Sequence, residues 1–219
     1  MISDTKVVAI GGGTGLSTML KGLKLHTHNI TAVVTVADDG GSSGILRSDL
    51  GMLAPGDVRN CVSALAEVDP VMGELLNFRF KDGSLKGHSL GNLFLAALNE
   101  TSSSFDEAVK KFSHLTGVVG TVYPVTNESV TLSALLEDGR LIEGESHIGV
   151  HHDGPKNGIV KLMVNPEKPK AVDGVIKALE KADIIVLGPG SLYTSIIPNL
   201  LVDGVVDAIK KSNAVKNYV

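Results

Sequence analysis

The sequence predicts an α/β protein with a Rossmann-like, mostly parallel sheet, flanking helices and an added antiparallel hairpin. Three observations predict it. A continuous apolar segment ends in the glycines Gly11–Gly15 and leads into an amphipathic segment, and a second apolar segment, Ile184–Leu187, ends in the same way at Gly188–Ser191. Between them, two alternating segments are separated by the pair Asp138-Gly139, which is a strong hairpin signal. Apolar residues make up 43% of the chain, which fits buried parallel strands.

The N-terminal segments predict a βαβ unit. Residues 6–10 form the first strand, and apolar residues at helical spacing predict a helix over 16–25. Residues 30–36 form the second strand, which a right-handed connection makes parallel to the first. Residues 37–59 contain several glycines and little apolar periodicity, so they predict a long functional loop.

The remaining elements follow from periodicity and turn residues. Helices are predicted at about 60–67, 71–80, 89–99 and 105–113, at 171–182, and from Pro198 to about Lys211. The hairpin is predicted at 129–143 and a further strand at 158–164, so residues 120–165 are expected to insert into a single domain spanning 1–219. A strand that starts at Ala214 has no cap or turn after it, which predicts C-terminal truncation.

Composition excludes several classes of function. The net charge of −4 comes without a basic cluster, so no nucleic-acid partner is expected. No apolar run reaches the roughly 18 to 20 residues of a membrane span. Cys61 is the one cysteine, expected as a core residue, and it favours a reducing, cytoplasmic location.

The two glycine loops are candidates for binding a diphosphate. Each places backbone N–H groups and a helix N-terminus at the carboxyl edge of the predicted sheet, where anions can approach. The spacing is neither a dinucleotide fingerprint, because Leu16 occupies the third glycine position, nor a P-loop. Tight-turn sterics are the alternative explanation. The candidate ligand-binding residues are Gly12, Gly13, Thr14 and Gly15 in the first loop, and Gly188, Pro189, Gly190 and Ser191 in the second.

Asp38 and Asp39 follow the second predicted strand and allow three interpretations. They could accept a ribose hydroxyl, hold Mg²⁺ together with phosphate oxygens, or simply form an Asp-Asp-Gly-Gly turn. Ser42 and Ser43 add hydroxyl groups next to them.

Two further segments supply polar candidates. Asn60 ends a compact polar turn, while His88 and Asn92 open an apolar helix and could face the same cleft; Ser89 as a helix N-cap is the structural alternative. Arg59 could neutralise phosphate, but a surface or helix-start position is favoured. The group His147, His151, His152 and Asp153 matches no zinc pattern and predicts a solvated loop.

Five motifs in order resemble the bacterial gluconeogenesis factor family, which is related to 2-phospho-L-lactate transferase. They span Ala9–Leu16, Val36–Gly44, Pro55–Asn60, Gly87–Leu93 and Gly188–Leu200, and the resemblance covers essentially the whole chain.

The resemblance implies a Rossmann-like core whose glycine loops bind a nucleotide diphosphate, with UDP-sugars as the leading ligands and GDP-type nucleotides as an alternative. NAD is a further alternative, which rests on Asp38 or Asp39 as the acceptor of a ribose hydroxyl and is disfavoured by the glycine spacing. The resemblance also implies a regulatory role in gluconeogenic growth, cell shape and wall synthesis. Candidate partners are cell-wall or division proteins and further copies of the same chain, as a homo-oligomer. Members of the family run about a hundred residues further. The competing activity that it implies is a Mg²⁺-dependent transferase acting on a nucleotide diphosphate ester.

Overall fold

The computed structural model describes residues 3–151 and 157–219 and contains two sheets. The strands are β1 (Val7–Gly11), β2 (Ile30–Val34), β3 (Thr121–Pro124), β4 (Thr131–Leu136), β5 (Leu141–Glu143), β6 (Ile159–Asn165), β7 (Ile184–Leu187) and β8 (Val215–Tyr218). The helices are α1 (Gly13–Leu23), α2 (Gly41–Leu50), α3 (Gly56–Leu65), α4 (Pro70–Asn77), α5 (Leu90–Glu100), α6 (Phe105–Leu115), α7 (Glu145–His151), α8 (Asp173–Lys181), α9 (Ile197–Leu200) and α10 (Val205–Lys211), with a π-helical turn at Leu192–Ile196 before α9.

The five-stranded sheet is parallel throughout and has the order β3-β2-β1-β7-β8. All five residues of β1 are buried, because this strand is central and both faces of the sheet are covered. After β1 the chain crosses to β2 on one side, whereas β7 lies on the other side. This reversal of direction places the loops that follow β1 and β7 next to each other at the carboxyl edge. The predicted fold class is confirmed.

Alternate residues of the parallel strands face two apolar cores. Ala9, Ala32 and Val34 belong to the core beneath α1, α3, α5 and α6. Val8, Ile10 and Val33 belong to the core beneath α8 and α10. Cys61 is fully buried in the first core, as expected for a small core residue.

The antiparallel strands form a separate three-stranded sheet in the order β5-β4-β6. The predicted Asp138-Gly139 turn joins β4 to β5, and Gly139 has a φ of +84°, a conformation that favours glycine. This sheet packs against the first core through the side chains of Leu132, Ala134 and Leu162. The predicted insertion, residues 120–165, also contains β3, but β3 pairs with β2 in the parallel sheet. The first strand of the antiparallel sheet is therefore β4, which begins at Thr131.

Three segments differ from the prediction. Residues 37–59 are predicted to form a loop but are largely helical, since α2 and the start of α3 occupy them. The sequence of α2 lacks periodic apolar residues, and its ends are set by an extended Gly40 and a left-handed Gly51. The helix expected from Pro198 to Lys211 is divided into α9 and α10, with Gly204 at a φ of +84° between them. Residues 145–151 form α7 rather than a loop, and His152 and Asp153 lie outside the described residues.

Among the described helices, none combines the length and apolar content that crossing a membrane would require.

Candidate functional site

The two glycine loops contact each other at the carboxyl edge of the parallel sheet. A Cβ atom added to Gly15 would lie 2.6 Å from the carbonyl oxygen of Pro189, so the loops can approach this closely only because Gly15 has no side chain. A Cβ atom on Gly12 would likewise lie 2.8 Å from the hydroxyl oxygen of Ser195. Asn199 fixes the arrangement, since its Nδ2 donates to the carbonyls of Gly11 at 3.1 Å and Ser195 at 2.7 Å.

The loops open onto a polar cavity of about 300 Å³. Among the described residues that line it, three are acidic and none is Lys, Arg or His. The lining residues are Gly12, Gly13, Thr14, Gly15, Asp38, Asp57, Glu145, Gly190, Ser191 and Ser195.

Asp57 occupies the N-terminus of α1. The N–H of Gly13 donates to its carboxylate, and a Cβ atom on Gly13 would overlap that carboxylate, lying 2.8 Å from its Cγ. Burial raises the pKa of Asp57 to about 6, and the negative charge of Asp38 acts in the same direction, while the Gly13 N–H and Arg59 oppose the shift. Asp57 therefore already uses one of the backbone donors that the sequence assigns to a ligand.

Glu145 reaches the cavity from the start of α7, which follows the antiparallel strand β5. Thr194 forms a side-chain hydrogen bond with its carboxyl group. Burial raises the pKa of Glu145 to about 7; the hydrogen bond from Thr194 opposes this, and the charges of Asp38, Asp57 and Asp39 add to it. A carboxyl group with this pKa exchanges its proton near neutral pH.

The adjacent aspartates Asp38 and Asp39 have different environments. Asp38 lines the cavity, and its Oδ1 accepts the N–H of Gly40 at 2.9 Å. Asp39 does not line it, because its two carboxylate oxygens accept the N–H groups of Glu145 and Ser146, both at 2.9 Å, at the start of α7. Asp38 thus shares the cavity with Asp57 and Glu145, whereas the Asp39 carboxylate accepts two N–H groups at the start of α7; that Asp38 and Asp39 hold a metal ion stays a prediction.

Ser42, His88 and Asn92 form a buried network outside the cavity lining. The Ser42 hydroxyl lies 2.9 Å from His88 Nδ1 and accepts Asn92 Nδ2 at 3.0 Å. Asn92 Oδ1 in turn accepts Arg59 Nε at 3.3 Å. Arg59 lies in the first turn of α3, which is the helix-start position among the two alternatives expected, and it is buried rather than on the surface; burial together with nearby Arg79 lowers the pKa of its guanidinium. These hydrogen bonds tie α2, α3 and α5 together, and the ligand contacts expected of Ser42, His88 and Asn92 stay predictions.

The remaining predicted residues lie close to the cavity or support its walls. Asn60 Nδ2 would lie 3.1 Å from a Cβ atom on Gly13, so it borders the first loop. The Ser43 hydroxyl accepts the N–H of Gly56 at the start of α3. Gly188 and Pro189 shape the second loop without lining the cavity, and Gly188 has a φ of +98°.

Known proteins match this chain over nearly its whole length. A family model described as 2-phospho-L-lactate transferase CofD matches residues 7–219. A relative from Thermoanaerobacterium thermosulfurigenes is 57% identical over 218 residues, which cover 100% of this chain and 68% of the relative. A Bacillus subtilis relative named gluconeogenesis factor is 46% identical over 217 residues, which cover 98% of this chain and 67% of the relative.

The chain belongs to the CofD family, among the gluconeogenesis factors. A crystal structure of a Bacillus halodurans protein has a TM-score of 0.94 and 46% identity to it, covering 99% of this chain and 68% of that protein. The chain spans 49% of the length of another relative, from Clostridium acetobutylicum.

The cavity carboxylates fit a Mg²⁺ ion that is also coordinated by phosphate oxygens of a ligand. Among the described residues, no group of three His, Cys, Asp or Glu side chains is placed to hold a metal ion unaided. Mg²⁺ commonly takes one or two carboxylates together with phosphate oxygens of its ligand. Asp38 and Asp57 offer that number of carboxylates beside the two glycine loops.

Sequence reasoning missed four residues of the site: Asp57, Glu145, Ser195 and Asn199. Asp57 lies inside a motif that the sequence singled out, so the Pro55–Asn60 turn was a usable signal. Glu145 carries no such signal, because its place depends on contact between α7 and a residue 106 positions earlier in the chain.

Proposed function

We propose that this chain is the ligand-binding part of a gluconeogenesis factor, and that its cavity binds a UDP-sugar. The diphosphate lies between the Gly12–Gly15 loop and the Gly190–Ser191 turn, where backbone N–H groups and the N-terminus of α1 favour an anion. The observation that carries the proposal is the contact between the two loops, which makes one cavity of about 300 Å³ from two potential anion sites.

The acidic lining determines how an anionic ligand can bind. Asp38, Asp57 and Glu145 face the cavity without a positively charged side chain among its described lining, so a diphosphate needs a counter-charge. Asp38 and Asp57 would hold Mg²⁺, which when bound neutralises phosphate charge and polarises the phosphoryl oxygens. The backbone N–H groups orient the phosphates, and Asn199 keeps the first loop against the helical segment behind it.

Isothermal titration calorimetry with UDP-N-acetylglucosamine tests this proposal. The protein should bind the ligand in the presence of Mg²⁺, and binding should weaken after Gly15→Ala, because the added methyl group forces Pro189 away. Gly22→Ala is the matched control in the same helix, since a Cβ atom there meets nothing within 4 Å. Absence of binding at millimolar ligand would refute the proposal, while tighter binding of GDP or NAD would reassign the base.

We propose that the protein acts in the cytoplasm as a regulator that supports growth on gluconeogenic carbon sources, cell shape and wall synthesis. The names of its relatives support the first of these. Deletion of the gene should impair growth on such carbon sources, and restoration by wild type but not by Gly15→Ala would connect growth to the cavity. Self-association and contact with cell-wall or division proteins belong to the same proposal and are tested by co-purification.

A Mg²⁺-dependent transferase is the second candidate function. It is favoured by the carboxylates beside the loops and by the family description. An acceptor hydroxyl would attack the phosphorus, the bond to the departing nucleoside monophosphate would break, and the acceptor proton would pass to a cavity carboxylate.

Nucleotide turnover discriminates between the two functions. A transferase should release nucleoside monophosphate only with Mg²⁺ and lose that release in Asp38→Ala, whereas a sensor should bind without release. Asp49→Ala, an exposed aspartate on α2, is the control for loss of a negative charge.

A further inference from the structure

Glu145 enters the cavity on a segment whose position is fixed. Its N–H and that of Ser146 donate to Asp39 at 2.9 Å. The preceding Gly144 has a φ of +97°, and a Cβ atom there would lie 2.6 Å from Asp39 Oδ2. The backbone at Glu145 is therefore held close to residue 39 in a geometry that a side chain at position 144 would prevent.

The side chain of Glu145 is held as well. Thr194, which is buried, forms a hydrogen bond to its carboxyl group and lies in the π-helical turn that follows the second glycine loop. Glu145 is thus tied to this turn and lines the cavity itself. Its orientation is set before a ligand arrives.

The three cavity carboxylates differ in the partners that the fold gives them. Asp57 accepts the N–H of Gly13, and Asp38 accepts the N–H of Gly40. Glu145 receives a hydroxyl from Thr194, and the charged neighbours that act on it are all acidic: Asp38, Asp57 and Asp39. A carboxyl group in this position leaves acceptor capacity for donors that a ligand supplies.

We propose that Glu145 determines specificity for the group carried by the diphosphate, accepting hydrogen bonds from its hydroxyls. This inference rests on the proposed function, because the glycine loops must hold the diphosphate for Glu145 to meet its substituent. A hydroxyl-rich substituent such as a sugar supplies neutral donors, which a carboxylate among other carboxylates binds without adding negative charge. Glu145 is then the reason that a sugar-bearing diphosphate is preferred over the bare one.

Titration calorimetry with two probes, UDP-N-acetylglucosamine and UDP, tests the role of Glu145 at constant Mg²⁺. At pH 8.5, where a carboxyl group with a pKa of about 7 is ionised, Glu145→Ala should weaken binding of the sugar nucleotide about 10- to 100-fold, the loss typical of hydrogen bonds to a charged group. Binding of UDP should stay within about twofold, since that probe lacks the sugar and saturating Mg²⁺ neutralises the diphosphate that Glu145 would otherwise repel. Glu143→Ala, an exposed glutamate two positions earlier, should alter neither affinity. Circular dichroism and thermal unfolding establish that each variant is folded.

The other outcomes overturn the inference in distinguishable ways. An equal loss for both probes would assign Glu145 to the diphosphate or its metal, and no loss for either would remove its role. Glu145→Gln separates charge from shape: if it binds UDP-N-acetylglucosamine as tightly as the wild type, the ionised acceptor is not needed. Failure of the wild type to bind either probe would overturn the proposed function together with this inference, whereas binding of both with an unchanged ratio in Glu145→Ala would overturn the inference alone.

Discussion

Alanine should destabilise the protein at Gly13 and stabilise it at Gly22, although both residues lie in α1. At Gly13 the new methyl group would overlap the Asp57 carboxylate, with 2.8 Å to its Cγ and 3.1 Å to Asn60 Nδ2. At Gly22 it would meet nothing within 4 Å. The two substitutions therefore change helix propensity in the same way and differ in what surrounds them.

The magnitudes follow from these surroundings. Displacing Asp57 removes its hydrogen bond from the Gly13 N–H, which costs about 1.5–3 kcal/mol for a charged acceptor. Replacing glycine by alanine raises the free energy of unfolding by roughly 0.5–1 kcal/mol, because alanine has less conformational freedom in the unfolded chain and a higher helix propensity. Gly13→Ala should therefore lower the free energy of unfolding by about 1–2 kcal/mol, while Gly22→Ala should raise it by about 0.5–1 kcal/mol.

Urea denaturation at pH 7.5, followed by circular dichroism, measures both values, and an unchanged m-value shows that the midpoint shift reports stability. A second test combines Gly13→Ala with Asp57→Ala. Once the carboxylate is absent the methyl group has space, so the second substitution should add little further destabilisation. The reasoning is refuted if Gly13→Ala is as stable as Gly22→Ala, or if its cost persists in the double variant.

Three further outcomes are expected. Asn92→Ala should lower the free energy of unfolding by roughly 1.5 to 3 kcal/mol in urea denaturation, because the buried Nε of Arg59 loses its acceptor while Asn77 still accepts from the same guanidinium. It should leave UDP-N-acetylglucosamine affinity unchanged, and a selective loss of affinity would assign Asn92 to the site. Asp39→Ala should cost about 1 kcal/mol as a lost helix cap and preserve the Mg²⁺ dependence of binding, whereas loss of that dependence in calorimetry would make Asp39 a metal ligand. The folded-state pKa of Glu145, near 7, exceeds its ordinary 4.5, so the folded protein keeps a proton that the unfolded chain releases, and raising the pH through this window removes stability. Relative to Glu145→Gln, the wild type should therefore lose stability between pH 4.5 and 7 in denaturation series, and a constant difference would contradict the shift.

Local patterns in the sequence predict the parallel core well, for a physical reason. β1 is apolar throughout because both of its faces are covered, and each glycine loop directly follows its strand. The Asp138-Gly139 turn is equally local, since the left-handed conformation at Gly139 depends on that residue alone. Such features depend on neighbours within a few positions, and these are visible in the sequence.

Short helices with polar sequences are harder to predict. α2 contains Gly-Ser-Ser-Gly in its first turn, yet it forms between an extended Gly40 and a left-handed Gly51. Arg47 supports it through a hydrogen bond to the carbonyl of Val130 at 2.8 Å, 83 positions later in the chain. Tertiary contacts of this kind override local propensity, so periodicity indicates a loop where the structure has a helix.

The candidate site divides along the same line. The glycine loops and Asp38 are predictable because each directly follows a parallel strand. Glu145, which begins α7 after the antiparallel strand β5, and Asp57, at the start of α3, carry no such signal. Ser42, His88 and Asn92 were predicted as ligand contacts because polar side chains in glycine-rich motifs are typical of binding sites. In the structure these three residues hydrogen-bond one another, and a sequence pattern alone does not distinguish such a structural role from a ligand contact.

The acidic cavity follows from where backbone donors and carboxylates meet. A helix N-terminus attracts negative charge, and in this chain Asp57 supplies some of it from within the protein. An incoming diphosphate therefore competes with Asp57 for the same donors and is repelled by Asp38 and Glu145. Protonation and Mg²⁺ both relieve that repulsion: the pKa values of Asp57 and Glu145 lie near 6 and 7, and a metal ion between carboxylate and phosphate turns repulsion into coordination. Occupancy of the cavity should for this reason respond to pH most strongly when Mg²⁺ is absent, since protons are then the remaining way to neutralise the site.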